Sequence, residues 1–384
     1  MAKKWYDNPE GRQEVGEYRD ALPMGPVRGR GAALNPGNRF ETVRLHVLGE
    51  HLDEIVTQDP QHAGRQLVTQ VLYDTTKSII NHVDPKVSPD VGFEWTVNPY
   101  RGCEHGCVYC FARPYHEYLG FSVGIDFETR ILCKPDAPEM LEKELADRKW
   151  KGDPLVMSVV TDAYQPVEAK LRITRRCLEV MTRCRQPVST VTKSRLILRD
   201  LDLIEELTGF NAYRAAVSIT TLDSKLAAKM EPRASSPADR LHAVRELSRI
   251  GVPVTVMVAP IIPALTDREI PNILEAAKDA GATHAGYTML RLPWQVKALF
   301  IEWLHRCFPD RAGHVEGLIR STRGGKLYDA TPGVRMKGQG PIADQIGSMF
   351  RMFRKRYALD QPHKPMNHAV FRRPNLGGQM ELFS

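Results

Sequence analysis

The sequence predicts an α/β fold: a partial (β/α)6, TIM-like barrel with an N-terminal arm and a basic, helical C-terminal extension. Three observations predict it. Short β-branched runs alternate with helical patterns from residue 93 to about residue 290. A stretch rich in glycine, proline and charge precedes them. Two amphipathic helical patterns and a cationic tail follow them.

The elements follow in chain order. Residues 1–40, centred on Gly25-Pro26-Val27-Arg28-Gly29-Arg30-Gly31, read as a mobile or extended arm rather than core. Glu41 to Pro89 carries mixed signals and is expected to pack as an N-terminal extension. Phe93-Glu94-Trp95-Thr96-Val97 alternates and reads as the first strand. Further strand runs are Arg130–Cys133, Leu155–Val160, Val188–Thr192, Ala215–Ile219, Val252–Val258 and His284–Leu290. Between them, Leu171 to Cys184 and Ala238 to Ile250 carry apolar residues at helical spacing. Pro237 starts the second of these and Gly251 ends it. Strands alternating with helices imply βαβ units and a parallel sheet, whose chemistry sits on loops at the C-terminal ends of the strands. After Leu290, Trp294–Phe308 and Ile342–Tyr357 read as helices, with Arg351, Arg354, Lys355 and Arg356 on the outer side of the last. The expected layout is an arm and extension at 1–89, a core at 90–310 and a basic helical extension at 311–384.

Composition narrows the class. The chain has 384 residues, 26% charged and 42% hydrophobic, which suits a globular protein with a full core. No apolar run approaches the roughly 20 residues that cross a bilayer, and Met1 to Asp20 has no secretory apolar stretch, so no membrane role is expected. Seven cysteines without a secretory context argue against a disulfide framework and for a reducing cytoplasm. Residues 311–384 hold 13 Lys/Arg against 5 Asp/Glu, whereas residues 1–310 hold 40 against 41. The basic excess therefore belongs to the C-terminal fifth and suggests a polyanion partner, with a solvated basic face as the alternative.

Three of the cysteines, Cys103, Cys107 and Cys110, stand in a C-x3-C-x2-C loop just after the first strand. Three thiolates this close can hold three irons of a four-iron cluster and leave the fourth iron open. Zinc is the rival, but structural zinc favours two C-x2-C pairs. Here Cys133, Cys177, Cys184 and Cys307 stand singly; His105 could complete a zinc site, but it lies inside the loop and would strain it, so it reads as a residue supporting the site. Cys133 alternates with Ile131 and reads as a small buried hydrophobe.

With Tyr109 before the last cysteine and Asn98-Pro99-Tyr100-Arg101-Gly102 before the first, the loop resembles the radical SAM superfamily. It is similar in particular to the spore-photoproduct-lyase-like, or DNA-repair-photolyase-like, branch. The resemblance covers about Phe93 to Leu290, with Arg28-Gly29-Arg30-Gly31 matching the arm of one subfamily. It implies that Cys103, Cys107 and Cys110 bind a [4Fe–4S] cluster. S-adenosylmethionine would chelate the open iron and be cleaved reductively to methionine and a 5′-deoxyadenosyl radical. A flavodoxin- or ferredoxin-type donor would supply the electron. Thr161-Asp162 resembles the segment that contacts the methionine end of the cofactor. Lys193 resembles the lysine that meets its carboxylate. Ser218 is a candidate ribose or carboxylate contact, and Tyr109 would meet the adenine through its backbone. For Thr161, Asp162, Lys193 and Ser218 the alternative is a strand-end residue satisfying local backbone.

The same resemblance marks a departure. The lyase returns a hydrogen atom from a cysteine aligned with Val159 to Asp162, where this chain has no cysteine. Tyr164 and Tyr287, near strand ends, are candidate hydrogen relays. Arg233 and Arg240 are candidate phosphate or carboxylate binders, or else parts of a loop capped before a helix. The leading reading is a radical SAM enzyme, of lyase or transferase type, that repairs or modifies nucleic acid. The lyase kinship and the cationic tail with Phe350, Phe353, Tyr357 and Phe371 interleaved support that substrate. A radical SAM enzyme of proteins or small molecules, and a non-catalytic Fe–S or zinc nucleic-acid-binding protein, stay open.

Overall fold

The computed structural model describes residues 29–40, 68–362 and 364–376, and the backbone of two short strands at 18–20 and 46–48. Arg28, most of Met1 to Asp20, residues 49–67, His363 and residues 377–384 lie outside the described residues.

β1 (Tyr18–Asp20) and β2 (His46–Leu48) pair antiparallel. The next strands are β3 (Gln70–Tyr73), β4 (Ile80–His82), β5 (Trp95–Val97), β6 (Tyr100–Arg101) and β7 (Arg130–Cys133). The last five are β8 (Leu155–Met157), β9 (Val188–Thr192), β10 (Tyr213–Ser218), β11 (Val254–Ile261) and β12 (His284–Met289). The main sheet runs β12-β11-β10-β9-β8-β5-β4, parallel throughout except for the antiparallel edge strand β4. Six parallel strands in sequence order, with β4 and β12 as the outer strands among the described residues and β12 bridged only at His284 to Asp360, give the expected α/β architecture as an open (β/α)6 sheet.

Alternation sets the two faces. In β9, Val188, Thr190 and Thr192 are buried, while Ser189 and Val191 are partly exposed. Val254, Val256 and Val258 of β11 join Ala215 and Val217 of β10 in one core with the helices. The helix Pro237–Arg249 starts where Ser236 accepts from the Asp239 N–H, and a left-handed Gly251 follows it. Ile173–Arg183 buries Cys177, Leu178 and Met181. Val296–Cys307 and Pro341–Arg356 are the two later helices.

Three expectations change. Arg130–Cys133 does not belong to the main sheet; β7 pairs with β3 and β6 in a separate three-stranded sheet. Ile131, Leu132 and Cys133 are all buried, so the run is as apolar as a barrel strand and cannot be told from one by pattern. The strand from Leu155 ends at Met157, because Ser158 adopts a left-handed φ of 78°. The described part of the N-terminal arm is not mobile surface: Arg30, Ala32, Ala33 and Asn38 are buried.

The helix Pro341–Arg356 places Ile346 and Phe350 in the main core, with Phe353, Tyr357 and Phe371 packed against it. Phe350 is therefore core, and the other three are partly buried against it rather than interleaved on an open surface. A segment from Gly333 to Lys337 links the two sides of the open sheet. Arg335 and the Gly333 N–H bind Asp90, in the loop between β4 and β5, while Lys337 donates to the Tyr287 carbonyl of β12.

Candidate active site

All parallel strands end on the same side, and the cysteine loop sits there. It leaves β5 and β6 and runs into the short helix Arg113–Leu119. Backbone bonds tie it down on several sides. Cys103 N–H donates to Phe127 (2.9 Å), Val108 N–H to Met230 (3.1 Å) and Arg233 N–H to the His105 carbonyl (3.3 Å). Gln165 brackets its start, accepting from the Glu104 N–H at 2.8 Å and donating to Gly102 at 3.2 Å.

A fully buried arginine fixes its middle. Arg113 donates to the Cys107 carbonyl from Nε (3.0 Å) and Nη2 (2.9 Å), and from Nη1 to Val123 (3.0 Å) and Gly124 (2.8 Å). Its remaining contact is the buried Glu128 carboxylate. Glu128 also accepts from the N–H groups of Gly31 (3.0 Å) and Ala32 (2.9 Å), which ties the arm to the loop. Both glycines at this junction are required. Gly106 has φ +66°, and a Cβ there would lie 2.7 Å from Glu128 Oε2. A Cβ on Gly31 would lie 1.8 Å from the Gly106 carbonyl oxygen.

Cys103 and Cys107 are buried and Cys110 is partly exposed, and all three are free thiols. Burial pushes the Cys103 thiol well above its usual range, followed by Asp162 and the nearby Cys107 and Cys110. Burial, then Glu231, does the same at Cys107, with Lys193 opposing. Two buried thiols whose ionisation is opposed, with a third beside them, suit a bound cationic centre, which supplies the missing charge. Each thiolate of a four-iron cluster takes its own iron, so the sulfurs need not converge on one point. Among the described residues no three His, Cys, Asp or Glu side chains do.

Asp162, just beyond β8, accepts from Thr192 Oγ1 (2.8 Å), the Lys193 N–H (2.8 Å) and the Tyr164 N–H (2.9 Å). His105 Nδ1 lies 3.4 Å from the same carboxylate, and burial lowers the imidazole to about 4 despite Asp162. Asp162 thus joins the ends of β8 and β9 to the cysteine loop. Thr161 Oγ1 donates to the Tyr100 carbonyl at 3.4 Å. The Lys193 ammonium stands 5.9 Å from the Tyr109 ring centroid and forms no ion pair among the described residues. The Tyr109 phenol is held by the Glu231 carboxylate, which also takes Thr220 Oγ1 (2.7 Å) and the Arg240 guanidinium. Ser218 is buried at the end of β10, and its carbonyl accepts from Arg240 at 3.2 Å.

The structure therefore gathers Cys103, Cys107, Cys110, Tyr109, Asp162 and Lys193 at one mouth, with Thr161 and Ser218 at its strand ends. Other candidates fall elsewhere. Arg233 is neutralised by Glu104 at 3.0 Å and Arg240 by buried Glu231, so neither is a free anion binder. Cys133 and Tyr164 are buried in the main core, and Tyr287 packs on Phe350 with centroids 4.6 Å apart. Arg113, Glu128, Gln165 and Glu231 are what sequence reasoning missed. Their partners lie far along the chain or in the backbone, and no short motif announces such pairs.

A family model described as the radical SAM superfamily matches residues 97–277. An uncharacterized protein of Mycobacterium tuberculosis is 34% identical over 246 residues, 64% of this chain and 72% of the relative. A protein of Pseudomonas phage M6 named radical SAM Nα-GlyT isomerase is 23% identical over 235 residues, 59% of this chain and 46% of that one. A spore photoproduct lyase variant with bound AdoMet and dinucleoside spore photoproduct shares the fold. Its TM-score is 0.50 at 16% identity, over 88% of this chain and 97% of that one. The thiol loop at the strand ends, the matching family model and the shared fold make this chain a member of the radical SAM superfamily, an enzyme with a [4Fe–4S] cluster and S-adenosylmethionine as its cofactors.

Proposed function

We propose that the chain generates a 5′-deoxyadenosyl radical to repair or modify nucleic acid. The observation that carries the reading is the set of three free thiols, two buried and one partly exposed, on a clamped loop beside an ammonium with no carboxylate of its own among the described residues. When bound, the cofactors supply the radical chemistry: one electron cleaves the sulfonium of S-adenosylmethionine to methionine and the 5′-deoxyadenosyl radical. Cys103, Cys107 and Cys110 hold three irons. Lys193 binds the cofactor carboxylate as a point charge. Thr161 lines the methionine side, Ser218 meets the ribose or the carboxylate, and Tyr109 presents its backbone to the adenine while Glu231 anchors its phenol. Asp162 acts as a positioning residue by fixing His105 and the Lys193 backbone.

The nucleic-acid substrate rests on two supports: the basic C-terminal fifth and the fold shared with a protein solved with a dinucleoside photoproduct. Val159 and Val160 stand where the lyase has its cysteine, so a hydrogen atom cannot return from a thiol at that position. The core at 90–310 carries this chemistry, in the cytoplasm, with a flavodoxin- or ferredoxin-type donor. Among the described residues no helix is long and apolar enough to cross a membrane.

Anaerobically reconstituted protein with dithionite and S-adenosylmethionine should form 5′-deoxyadenosine, and Cys107→Ala should form none. Deuterium from a labelled oligonucleotide should appear in the 5′-deoxyadenosine. Label arriving only from peptides or small molecules would defeat the substrate assignment but not the chemistry.

A further inference from the structure

A cavity lies along the β12 edge of the main sheet. It measures about 320 Å³ and is lined by Tyr287 of β12, Lys337, and Asp344, Phe350, Arg351 and Arg354 of the helix Pro341–Arg356. Three of these are cations. Lys337 is an exposed residue whose ammonium lies 3.5 Å from the Tyr287 ring centroid and donates to the Tyr287 carbonyl at 3.0 Å. Arg351 donates to Ser348 Oγ at 2.9 Å and Arg354 to the Leu359 carbonyl at 3.2 Å. None of the three forms an ion pair among the described residues, and Asp344 is the one carboxylate in the lining. Three cations beside a single carboxylate leave a net positive charge that an anion would offset.

We propose that this cavity binds a phosphate group of a nucleic-acid strand. The donors suit the ligand. Two guanidinium forks, an ammonium and a phenol can share the oxygens of one phosphate, which charge-assisted bonds hold strongly. The cavity is large enough for a phosphate with part of its sugar. The site also gives a place for part of the cationic excess of residues 311–384. Burial of the ammonium, then the Arg354 charge, lowers Lys337 to about 8. The groups facing it are Tyr287 from β12 and Asp344, Arg351 and Arg354 from the helix. Its charge is present below about pH 8 and lost above it, so a phosphate should be held less well at higher pH.

The proposal rests on the nucleic-acid reading above, and the test needs no cofactor. Full-length protein is titrated with a fluorescent single-stranded oligonucleotide at several salt concentrations. Arg351→Gln and Lys337→Met should each weaken binding several-fold, and each should reduce the slope of log affinity against log salt by about 0.7. Affinity should fall between about pH 7 and pH 9 in the wild type and stay level in Lys337→Arg. Unchanged affinity and slope in both neutralised variants would overturn the pocket while leaving the substrate class standing. Inorganic phosphate that protects the wild type but not Arg351→Gln against thermal unfolding, with oligonucleotide affinity unchanged, would assign the cavity to a small phosphate ester and overturn the strand. A wild type that retains no oligonucleotide even at low salt would sink the substrate class as well.

Discussion

Arg113 uses all five of its donors on partners inside the protein, and four of those bonds go to backbone carbonyls. The guanidinium is fully buried, so its charge depends on Glu128. Glu128→Gln leaves that charge unpaired and should cost about 3–5 kcal/mol, read by urea unfolding of the apo protein. A loss below ~1 kcal/mol would mean that Arg113 finds its counter-charge elsewhere. Gly31 tests the same junction from the arm. Its missing Cβ would sit 1.8 Å from the Gly106 carbonyl, and the obstructing atom is backbone. Gly31→Ala should destabilise by about 1–3 kcal/mol and lower the iron bound per chain after reconstitution. Wild-type iron content in this variant would show that the arm does not support the loop. Legibility at this scale is uneven. Cys103, Cys107 and Cys110 announce themselves because their chemistry needs close sequence spacing. Arg113 and Glu128 do not, because a buried ion pair needs only closeness in space.

The elements were readable where a local cause fixes them. Pro237 and Gly251 flank one helix as the sequence suggests, and the apolar spacing of Ile342 to Tyr357 matches the helix found there. β7 was misplaced because which sheet a strand joins is decided by its partners, β3 and β6, and β3 lies in a stretch with mixed signals. The strap from Gly333 to Lys337 was not foreseen either, since its anchor, Asp90, is far away in sequence. That anchor gives a pH signature. The Arg335 hydrogen bond, helped by the Gly333 N–H, lowers the Asp90 carboxyl from 3.8 to about 2. A depressed acid stabilises the fold above its unfolded pKa and stops doing so as pH falls through its folded one. Asp90→Asn should therefore cost about 0.2–1 kcal/mol at neutral pH. The gap from wild type, followed by urea unfolding, should close as pH drops from about 4 toward 2. A gap that stays constant over that range would assign the lost stability to packing rather than to the charge.

At the scale of the whole molecule, six strands in sequence order were legible because each βα unit repeats one pattern, and the thiol loop falls at the correct end of the sheet. What the pattern could not show is how the basic C-terminal stretch joins the body. Ile346, Phe350 and Leu359 are buried in the same core as β11 and the helix Ile270–Asp279. Phe371 lies over left-handed Gly152, where a Cβ would come within 2.6 Å of it. The stretch is therefore a structural part of the barrel's open side as well as a carrier of charge. Truncation after Gly340 removes several large core side chains, each worth about 2–5 kcal/mol. Their sum meets or exceeds the ~5–15 kcal/mol by which a typical domain is stable. The truncated chain should lose its near-ultraviolet circular dichroism and its cooperative urea transition, along with any nucleic-acid binding. If it instead unfolds sharply at the wild-type midpoint, the C-terminal stretch is an appendage, and its loss becomes a fair test of nucleic-acid binding by deletion. If it collapses as expected, only point changes such as Arg351→Gln can separate charge from stability.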